Sequence, residues 1–236
     1  MKIERSLAMR DDICTIPVSE IFEVHDGCPI CRMYETAEKR IVDYIMGDAM
    51  MEPDVRIMTN RTGFCERHYD QMLSHRGRLQ LSLMLQTHLA EINKKIFSKN
   101  FLQPASKKGE KAAKVHETCF ICDKIEFGMS RMIETIYRTY ETQRDFREMF
   151  NSQPQFCLVH YERLISEFDK RNMRNYGGAF LENLTRITGD YSKKLYDDIS
   201  AYCRIYDYRA GDGKKLSDDE RNSVENAISF LTGRSE

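Results

Sequence analysis

Apolar residues recur every three or four positions along most of this chain, with charged residues between them, and this spacing predicts amphipathic α-helices. A short helix is predicted within residues 16–23, and a regular one over residues 30–45, where Pro29 suits the first helical turn. The pattern returns after Cys65. Over residues 79–96, apolar positions cover so much of the circumference that we expect a central buried helix. No stretch alternates as a strand does, so the predicted fold class is all-α.

Helices are also predicted near the end of the chain. A long apolar pattern of helical spacing covers residues 180–205, and a glycine-rich turn follows at residues 211–213. Ser217 lies three residues before Glu220, which is the spacing of a capping box. A last helix should therefore begin after Ser217 and end at Gly233.

The second half of the sequence resembles the first. At shifts of 91 and 92 positions, cysteines, histidines and several helix-face residues of the first half recur in the second. We therefore predict a duplicated helical unit. Residues 1–97 form the first repeat with its lead-in, residues 98–114 a basic linker or mobile loop, and residues 115–236 the second repeat with a C-terminal helix.

Six of the eight cysteines lie in two copies of one motif, Cys-x-x-Cys followed further along by Cys-x-x-His. The near pair puts two thiolates on one turn of backbone, and the far pair adds a thiolate and an imidazole. We expect both pairs of one half to meet, because about a dozen partly extended residues can return along a helix of about 30 Å. The predicted sites are Cys28, Cys31, Cys65 and His68 in the first half, and Cys119, Cys122, Cys157 and His160 in the second.

Three thiolates and one imidazole are the ligands of a closed structural zinc site, which leaves no position for a catalytic water. We therefore predict two zinc ions per chain, with an iron–sulfur cluster on the same ligands as the alternative. Both ligand pairs of each half lie at predicted helix N-termini, whose partial positive charge favours thiolates. In a reducing compartment, cysteines at this spacing bind metal or do redox work rather than form structural disulfides.

Two further histidines and two further cysteines accompany these motifs. His25 and His116 each precede their first cysteine by three residues. They are candidates for partners of the ligands, hydrogen-bonding groups at the helix start, substitute ligands for another metal, or surface histidines. Cys14 and Cys203 have no counterpart in the other half, and we expect them to pack as small apolar residues.

The composition is that of a globular protein and excludes few functions. The 236 residues are 41% hydrophobic and 31% charged, and the net charge of -1 provides no overall field that would attract nucleic acid or anionic lipid. No apolar run approaches the roughly 18 residues of a membrane helix, and the N-terminus lacks the apolar core of a signal peptide. We expect a cytoplasmic protein without a membrane partner, and only weak contact with nucleic acid through the lysines of residues 98–114.

No catalytic template is found in the sequence. It contains no Gly-rich phosphate loop, no Gly-x-Ser-x-Gly elbow and no His-Glu-x-x-His motif. Glu35 and Glu126 match across the two halves and are candidates for general bases, but matched exposed carboxylates are more often salt-bridge partners on helices. We therefore expect a non-enzymatic scaffold or interaction protein whose partner is another protein. The alternative is a thiol-based redox or metal-handling protein, with zinc as a redox switch or a softer metal in its place.

The motifs resemble those of one protein family. The resemblance is carried by Cys-Pro-x-Cys with Cys-x-x-His, by the lead-in Ile-Pro-Val-Ser-Glu-Ile-Phe-Glu, and by Asp-Tyr-Arg at residues 207–209. The family is an uncharacterised group of bacterial, largely clostridial, proteins known as a domain of unknown function. The resemblance covers nearly the whole chain and implies a bacterial cytosolic origin, but no activity. The second motif copy departs from the pattern, because Phe120 stands where the first copy has Pro29.

Overall fold

The computed structural model describes residues 18–97, 104–171, 173–205 and 215–233. In these ranges the chain forms twelve α-helices and two short 3-10 helices and contains no strand, which confirms the all-α class. No helix in these ranges combines the length and the apolar character needed to cross a membrane. Cys14, the turn at residues 211–213 and the signature at residues 207–209 lie outside the described residues.

Six helices precede the second motif copy. They are α1 (Val18–Phe22), α2 (Pro29–Met46), α3 (Pro53–Thr62), α4 (Glu66–Ser74), α5 (Arg78–Lys95) and α6 (Ala105–His116). Six more follow. They are α7 (Phe120–Thr142), α8 (Arg144–Asn151), α9 (Leu158–Ser166), α10 (Gly177–Ile205), α11 (Asp218–Arg221) and α12 (Ser223–Thr232). The 3-10 helices are Asp48–Met51 and Phe168–Lys170.

The described residues divide into two compact units. Unit I consists of residues 36–130, and unit II of residues 18–35 together with residues 131–233. The boundaries between the units fall inside α2 and α7 rather than in the segment 98–114. Each unit therefore combines a segment from the first half of the sequence with one from the second.

An aromatic cluster forms the core of unit II and includes α1. The Phe22 ring lies 4.9 Å from Phe146 and 5.7 Å from Phe150, and Phe150 packs in turn on Phe156 and Phe180. All five rings are fully buried. Full burial of one such side chain contributes about 1.5–3 kcal/mol. The cluster therefore holds the segment 18–35 against residues that follow it by more than a hundred positions.

In unit I, helix α5 is less buried than its sequence predicts. Leu81 and Met84 are buried, but Leu79 is 69% exposed and Leu89 is 53% exposed. The expectation of a central buried helix is therefore wrong. Only one side of α5 is covered by the rest of the unit, and the leucines on its other sides face solvent.

The lysine-rich segment also differs from its expected form. The composition of residues 98–114 predicts a linker or mobile loop, whereas α6 covers residues 105–116. Lysine, alanine and glutamate, which predominate there, have high helix propensity, so a helix can form without burying a side chain. None of the residues of α6 is buried.

The predicted capping box and the end at Gly233 are confirmed, but the single last helix is interrupted at Asn222, which separates α11 from α12. The backbone N–H of Glu220 donates to Ser217 Oγ, and the backbone N–H of Ser217 donates to the carboxylate of Glu220, which completes the capping box. Helix α12 ends at Gly233, whose φ of 68° is left-handed and favours glycine.

Candidate metal centres

Each of the four ligand pairs lies at the start of a helix. The first cysteine of each pair precedes the first helical residue, and its carbonyl accepts the backbone N–H four positions later. The second ligand is the third residue of that helix. The helices concerned are α2, α4, α7 and α9. Because a helix N-terminus carries a partial positive charge, thiolates are favoured there, as the sequence predicted.

The proline that begins α2 is not required for α7. Helix α7 begins at Phe120, in the position that corresponds to Pro29. The Phe120 backbone N–H donates to the Gly63 carbonyl at 3.0 Å, and Thr118 Oγ1 donates to the Thr62 carbonyl at 2.7 Å. A proline at position 120 would have no N–H to donate. These bonds hold the start of α7 at the end of α3.

The eight predicted side chains come together as two groups of four. In each group, one ligand atom per residue lies within 4.8 Å of all the others. Centre A consists of Cys28, Cys31, Cys157 and His160. Centre B consists of Cys65, His68, Cys119 and Cys122.

The structure corrects the predicted pairing. We expected Cys28 and Cys31 to meet the far pair of their own half, but they meet Cys157 and His160 of the other half. The length of the chain permits both arrangements, so reach does not decide between them. Packing decides, because the aromatic cluster holds the segment 18–35 in unit II, and hydrogen bonds hold the start of α7 in unit I.

Centre A has the dimensions of a tetrahedral zinc site. The sulfurs of Cys31 and Cys157 are 3.6 Å apart. His160 Nδ1 lies 3.1 Å from the Cys157 sulfur, 3.3 Å from that of Cys31 and 3.7 Å from that of Cys28. Bonds of about 2.3 Å to sulfur and about 2.0 Å to nitrogen give tetrahedral edges of about 3.8 and 3.5 Å. A sulfur separation of 3.6 Å is far longer than the roughly 2.05 Å of a disulfide.

Centre B has similar dimensions. His68 Nδ1 lies 3.1 Å from the Cys65 sulfur, 3.2 Å from that of Cys119 and 3.5 Å from that of Cys122. The sulfurs of Cys65 and Cys122 are 3.9 Å apart. Both centres thus present three sulfurs and one Nδ1 atom to a common point. Each could hold one metal ion.

The electrostatics of centre A favour an anionic sulfur. All four of its residues are buried. Hydrogen bonds from Cys28 and Cys31, together with backbone N–H groups at the start of α9, lower the pKa of Cys157 to about 3. The same sulfur contacts, first with Cys157 and then with Cys28, raise the pKa of Cys31. One thiolate is therefore stabilised by two neighbouring thiols.

Centre B stabilises a thiolate through its histidine. Burial opposes ionisation of Cys119, but the hydrogen bond with His68 lowers the pKa of this thiol to about 6. Burial likewise opposes the charge on His68, whereas its bonds to Cys119 and Glu38 raise its pKa to about 10. Cys65 and Cys122 are partly exposed.

A buried carboxylate beside centre B was not predicted. Glu38 Oε1 lies 3.0 Å from His68 Nε2, and Oε2 accepts from Arg67 at 2.8 Å and from Gln71 at 3.0 Å. The carboxylate that the sequence comparison of the two halves singles out on α2 is Glu35, which precedes Glu38 by about one turn. Nothing in the motif spacing marks Glu38, because its contact with His68 depends on the packing of α4 against α2.

The two additional histidines lie outside the centres. His25 is exposed; its Nδ1 atom lies 3.0 Å from the Glu23 carbonyl, and its Nε2 atom lies 3.0 Å from Ser152 Oγ. His116 is exposed at the end of α6. Cys203 is exposed rather than packed, which corrects the prediction. The last buried residue of α10 is Leu195, so the final turns of that helix have no core beside them.

A cavity of about 420 Å³ adjoins centre A within unit II. Its lining includes charged side chains such as Glu35 and Glu225. Three of the four ligand residues also line it: Cys28, Cys31 and Cys157. Small solutes can therefore approach the sulfurs of a centre whose residues are otherwise buried.

Comparison with known proteins gives one match. The family model described as Family of unknown function (DUF6062) matches residues 9–236. No curated protein and no solved structure matches the chain.

Proposed function

Since the chain belongs to the Family of unknown function (DUF6062), we propose its function from the two centres themselves. The protein is a non-enzymatic cytoplasmic protein in which centres A and B each hold one structural zinc ion. Its helices present a surface to another protein. The zinc ions supply cross-links between distant parts of the chain. The bacterial origin implied by the resemblance remains a prediction.

One observation carries this proposal. Eight side chains from four separate helix starts meet as two groups, each with three sulfurs and one Nδ1 atom within 4.8 Å. A set of four protein ligands leaves no position for water or substrate, which is characteristic of structural rather than catalytic zinc. The separations of Nδ1 from the three sulfurs, and one sulfur–sulfur separation in each group, lie within a few tenths of an ångström of tetrahedral edges, so the residues present fit the metal.

The energy scale supports a structural role. Structural zinc contributes apparent binding energies of about 10–16 kcal/mol in small peptides, whereas a typical protein has a total stability of about 5–15 kcal/mol. In centre A the ion would join Cys31 to Cys157, which are 126 positions apart. In centre B it would join Cys65 to Cys122 across 57 positions. Each ion would thus hold a segment of one half inside a unit formed mainly by the other.

The four ligand pairs also support the proposed duplication. All of them have the same local geometry, with a cysteine before the helix and the second ligand at its third residue. Two copies of one ancestral unit would produce this correspondence. If the two copies exchanged their Cys-x-x-Cys segments, the near pair of each copy would meet the far pair of the other.

Exposed apolar side chains in unit I support a protein partner. Ile57 is 67% exposed, Leu79 is 69% exposed and Phe97 is 71% exposed. Exposed apolar side chains mark a contact surface between proteins where they form a continuous patch, so the proposal requires that these side chains share one. The net charge of -1 and the exposed lysines of α6 favour at most weak binding to nucleic acid.

A thiol-based redox or metal-handling role is the second candidate, and the cavity beside centre A favours it. Cys157 combines a pKa of about 3 with a position in the wall of that cavity. Thiolates of low pKa that small molecules can reach are the ones that oxidants attack. Mild peroxide that leaves both centres metallated and their cysteines reduced would contradict this role.

Metal content and folding test the structural proposal. The full chain, purified without oxygen, should be colourless and contain two zinc ions by elemental analysis. A strong chelator should remove the zinc and reduce the helical signal in circular dichroism, and added zinc should restore that signal. A brown protein with absorption near 400 nm would indicate the iron–sulfur alternative. Metal-free protein that keeps its helical signal and its unfolding midpoint would contradict the structural role.

A further inference from the structure

The histidine of centre B is held by a buried carboxylate. Glu38 is only 6% exposed, and its two oxygens accept from His68, Arg67 and Gln71 at 2.8–3.0 Å. Arg67 and His68 are neighbours at the start of α4, and Gln71 follows one turn later. Glu38 therefore fixes the His68 ring and the first turn of α4 in one network.

Centre A has no such network. Within the described ranges, the hydrogen bonds of His160 all involve Nδ1 and the cysteine sulfurs, and its Nε2 atom has no carboxylate partner. At the shift of 91 that relates the motif copies, Glu38 corresponds to Met129, which cannot accept the ring N–H as a carboxylate does. The two centres thus have the same ligand types but different surroundings.

We propose that Glu38 is a positioning residue for the metal of centre B. By accepting the Nε2–H of His68, it fixes the tautomer in which Nδ1 directs its lone pair at the position that the three sulfurs surround, and it makes that nitrogen a stronger metal ligand. Centre B then retains its metal by a device that centre A lacks. The proposal rests on the proposed function, because it requires that the centres hold metal.

Two roles of Glu38, orienting His68 and filling space in unit I, predict different outcomes. If Glu38 only filled space in unit I, a glutamine of the same size would fill that space and leave metal release from centre B unchanged. If it orients His68, loss of its charge will act on centre B and leave centre A unchanged. Removal of such a hydrogen-bonding partner typically lowers metal affinity by about 10- to 100-fold.

The test compares metal release from the two centres of the same molecule. The zinc-loaded full chain is mixed with a chromogenic chelator and N-ethylmaleimide, and samples are quenched over time. Peptide mass spectrometry then shows which cysteines have become alkylated, so that each centre reports its own rate. Glu38→Gln preserves size and removes the charge. Glu126→Gln, on the exposed face of α7, is the matched control.

We expect Glu38→Gln to accelerate alkylation of the centre B cysteines about tenfold and to leave those of centre A unchanged. Glu126→Gln should alter neither rate. Equal acceleration at both centres, or no acceleration at centre B, would overturn the proposal. If the wild-type chain binds no metal, the proposed function itself fails, which is a different result from two bound ions whose release is insensitive to Glu38.

A second variant keeps the test decisive if Glu38→Gln does not fold. Arg67 has a side chain that is 57% exposed, and it donates to Glu38 at 2.8 Å. Arg67→Gln should therefore fold and should loosen the carboxylate. We expect a severalfold faster release at centre B, with release from centre A unchanged. Unchanged release in this variant would count against the network.

Discussion

At the scale of single residues, several negatively charged groups accept hydrogen bonds from backbone N–H groups at the start of a helix. Cysteine sulfurs do so at α7 and α9, where Cys119 accepts from the Cys122 backbone N–H and where the backbone N–H groups of Val159 and His160 lower the pKa of Cys157. Glu141 does so for α10, because its carboxylate accepts the backbone N–H groups of Arg174, Asn175 and Tyr176 at 2.8–3.1 Å. The same electrostatic rule therefore explains both a candidate metal ligand and an ordinary helix cap.

Replacing Glu141 should reveal this cap through the pH dependence of stability. Desolvation alone would raise the pKa of Glu141, but the backbone N–H groups of Asn175, Tyr176 and Arg174 lower it below its ordinary value. The stabilisation is therefore present above the unfolded-state pKa and is lost as pH falls through the folded-state pKa. Glu141→Gln should cost about 1 kcal/mol at neutral pH, as loss of a cap usually does.

Urea unfolding of the zinc-loaded protein at several pH values would measure this effect. The difference between wild type and Glu141→Gln should shrink as the pH falls through the acidic range. Glu148→Gln, which removes only an exposed pair with Arg144 on α8, is a suitable control and should change little. A difference that stays constant with pH would contradict a charged cap.

At the scale of secondary-structure elements, α1 is the anchor of the segment that carries Cys28 and Cys31. The helix has only five residues and cannot be stable alone. Its position depends on Phe22, which packs between Phe146 and Phe150. Centre A is thus assembled by two interactions on one segment, aromatic packing on α1 and metal ligation at the start of α2.

Removing the Phe22 ring should weaken both interactions. Phe22→Ala creates a cavity in the aromatic cluster and should lower the free energy of unfolding by about 3–5 kcal/mol. It should also increase alkylation of the centre A cysteines relative to those of centre B. Denaturant unfolding and the time-resolved alkylation assay would measure these effects. Val24→Ala, at a side chain that is 41% exposed on the same segment, should have little effect on either. Equal release from both centres in Phe22→Ala would show that α1 does not support centre A.

At the scale of the whole molecule, each centre joins the two halves of the sequence. Centre A takes its near pair from the first half and its far pair from the second, and centre B does the reverse. Each compact unit contains one complete centre. The two halves of the sequence therefore do not coincide with units I and II of the structure.

A ligand substitution would test this crossed pairing in solution. Cys65→Ser should expose Cys119 and Cys122 to alkylation, because these three sulfurs share centre B. It should leave Cys28 and Cys31 protected by centre A. Peptide mass spectrometry of the zinc-loaded variant would identify the freed cysteines, and Cys203→Ser, at an exposed thiol outside both centres, provides the control. Alkylation of Cys28 and Cys31 in place of Cys119 and Cys122 would show that each near pair binds with the far pair of its own half.

Local features of the structure could be predicted because they depend on neighbours in sequence. Helical periodicity identified the all-α class and most helices, and the Ser217 capping box located the start of α11. The Cys-x-x-Cys and Cys-x-x-His spacings selected the eight residues that the structure brings together, because both ligands of a pair lie within one helical turn. Segment 105–116 was missed because its helix buries nothing, and apolar periodicity reports only helices that pack.

The amino-acid sequence by itself determined the helices, the four ligand pairs and the chemistry that each pair can supply. Only the tertiary structure decided which pairs meet, and it brought Glu38 to His68. The physical reason is that connecting segments of this length can reach either partner at similar entropic cost. The choice therefore depends on contacts between residues far apart in sequence, such as Phe22 with Phe146 and Phe120 with Gly63, and no local pattern encodes them.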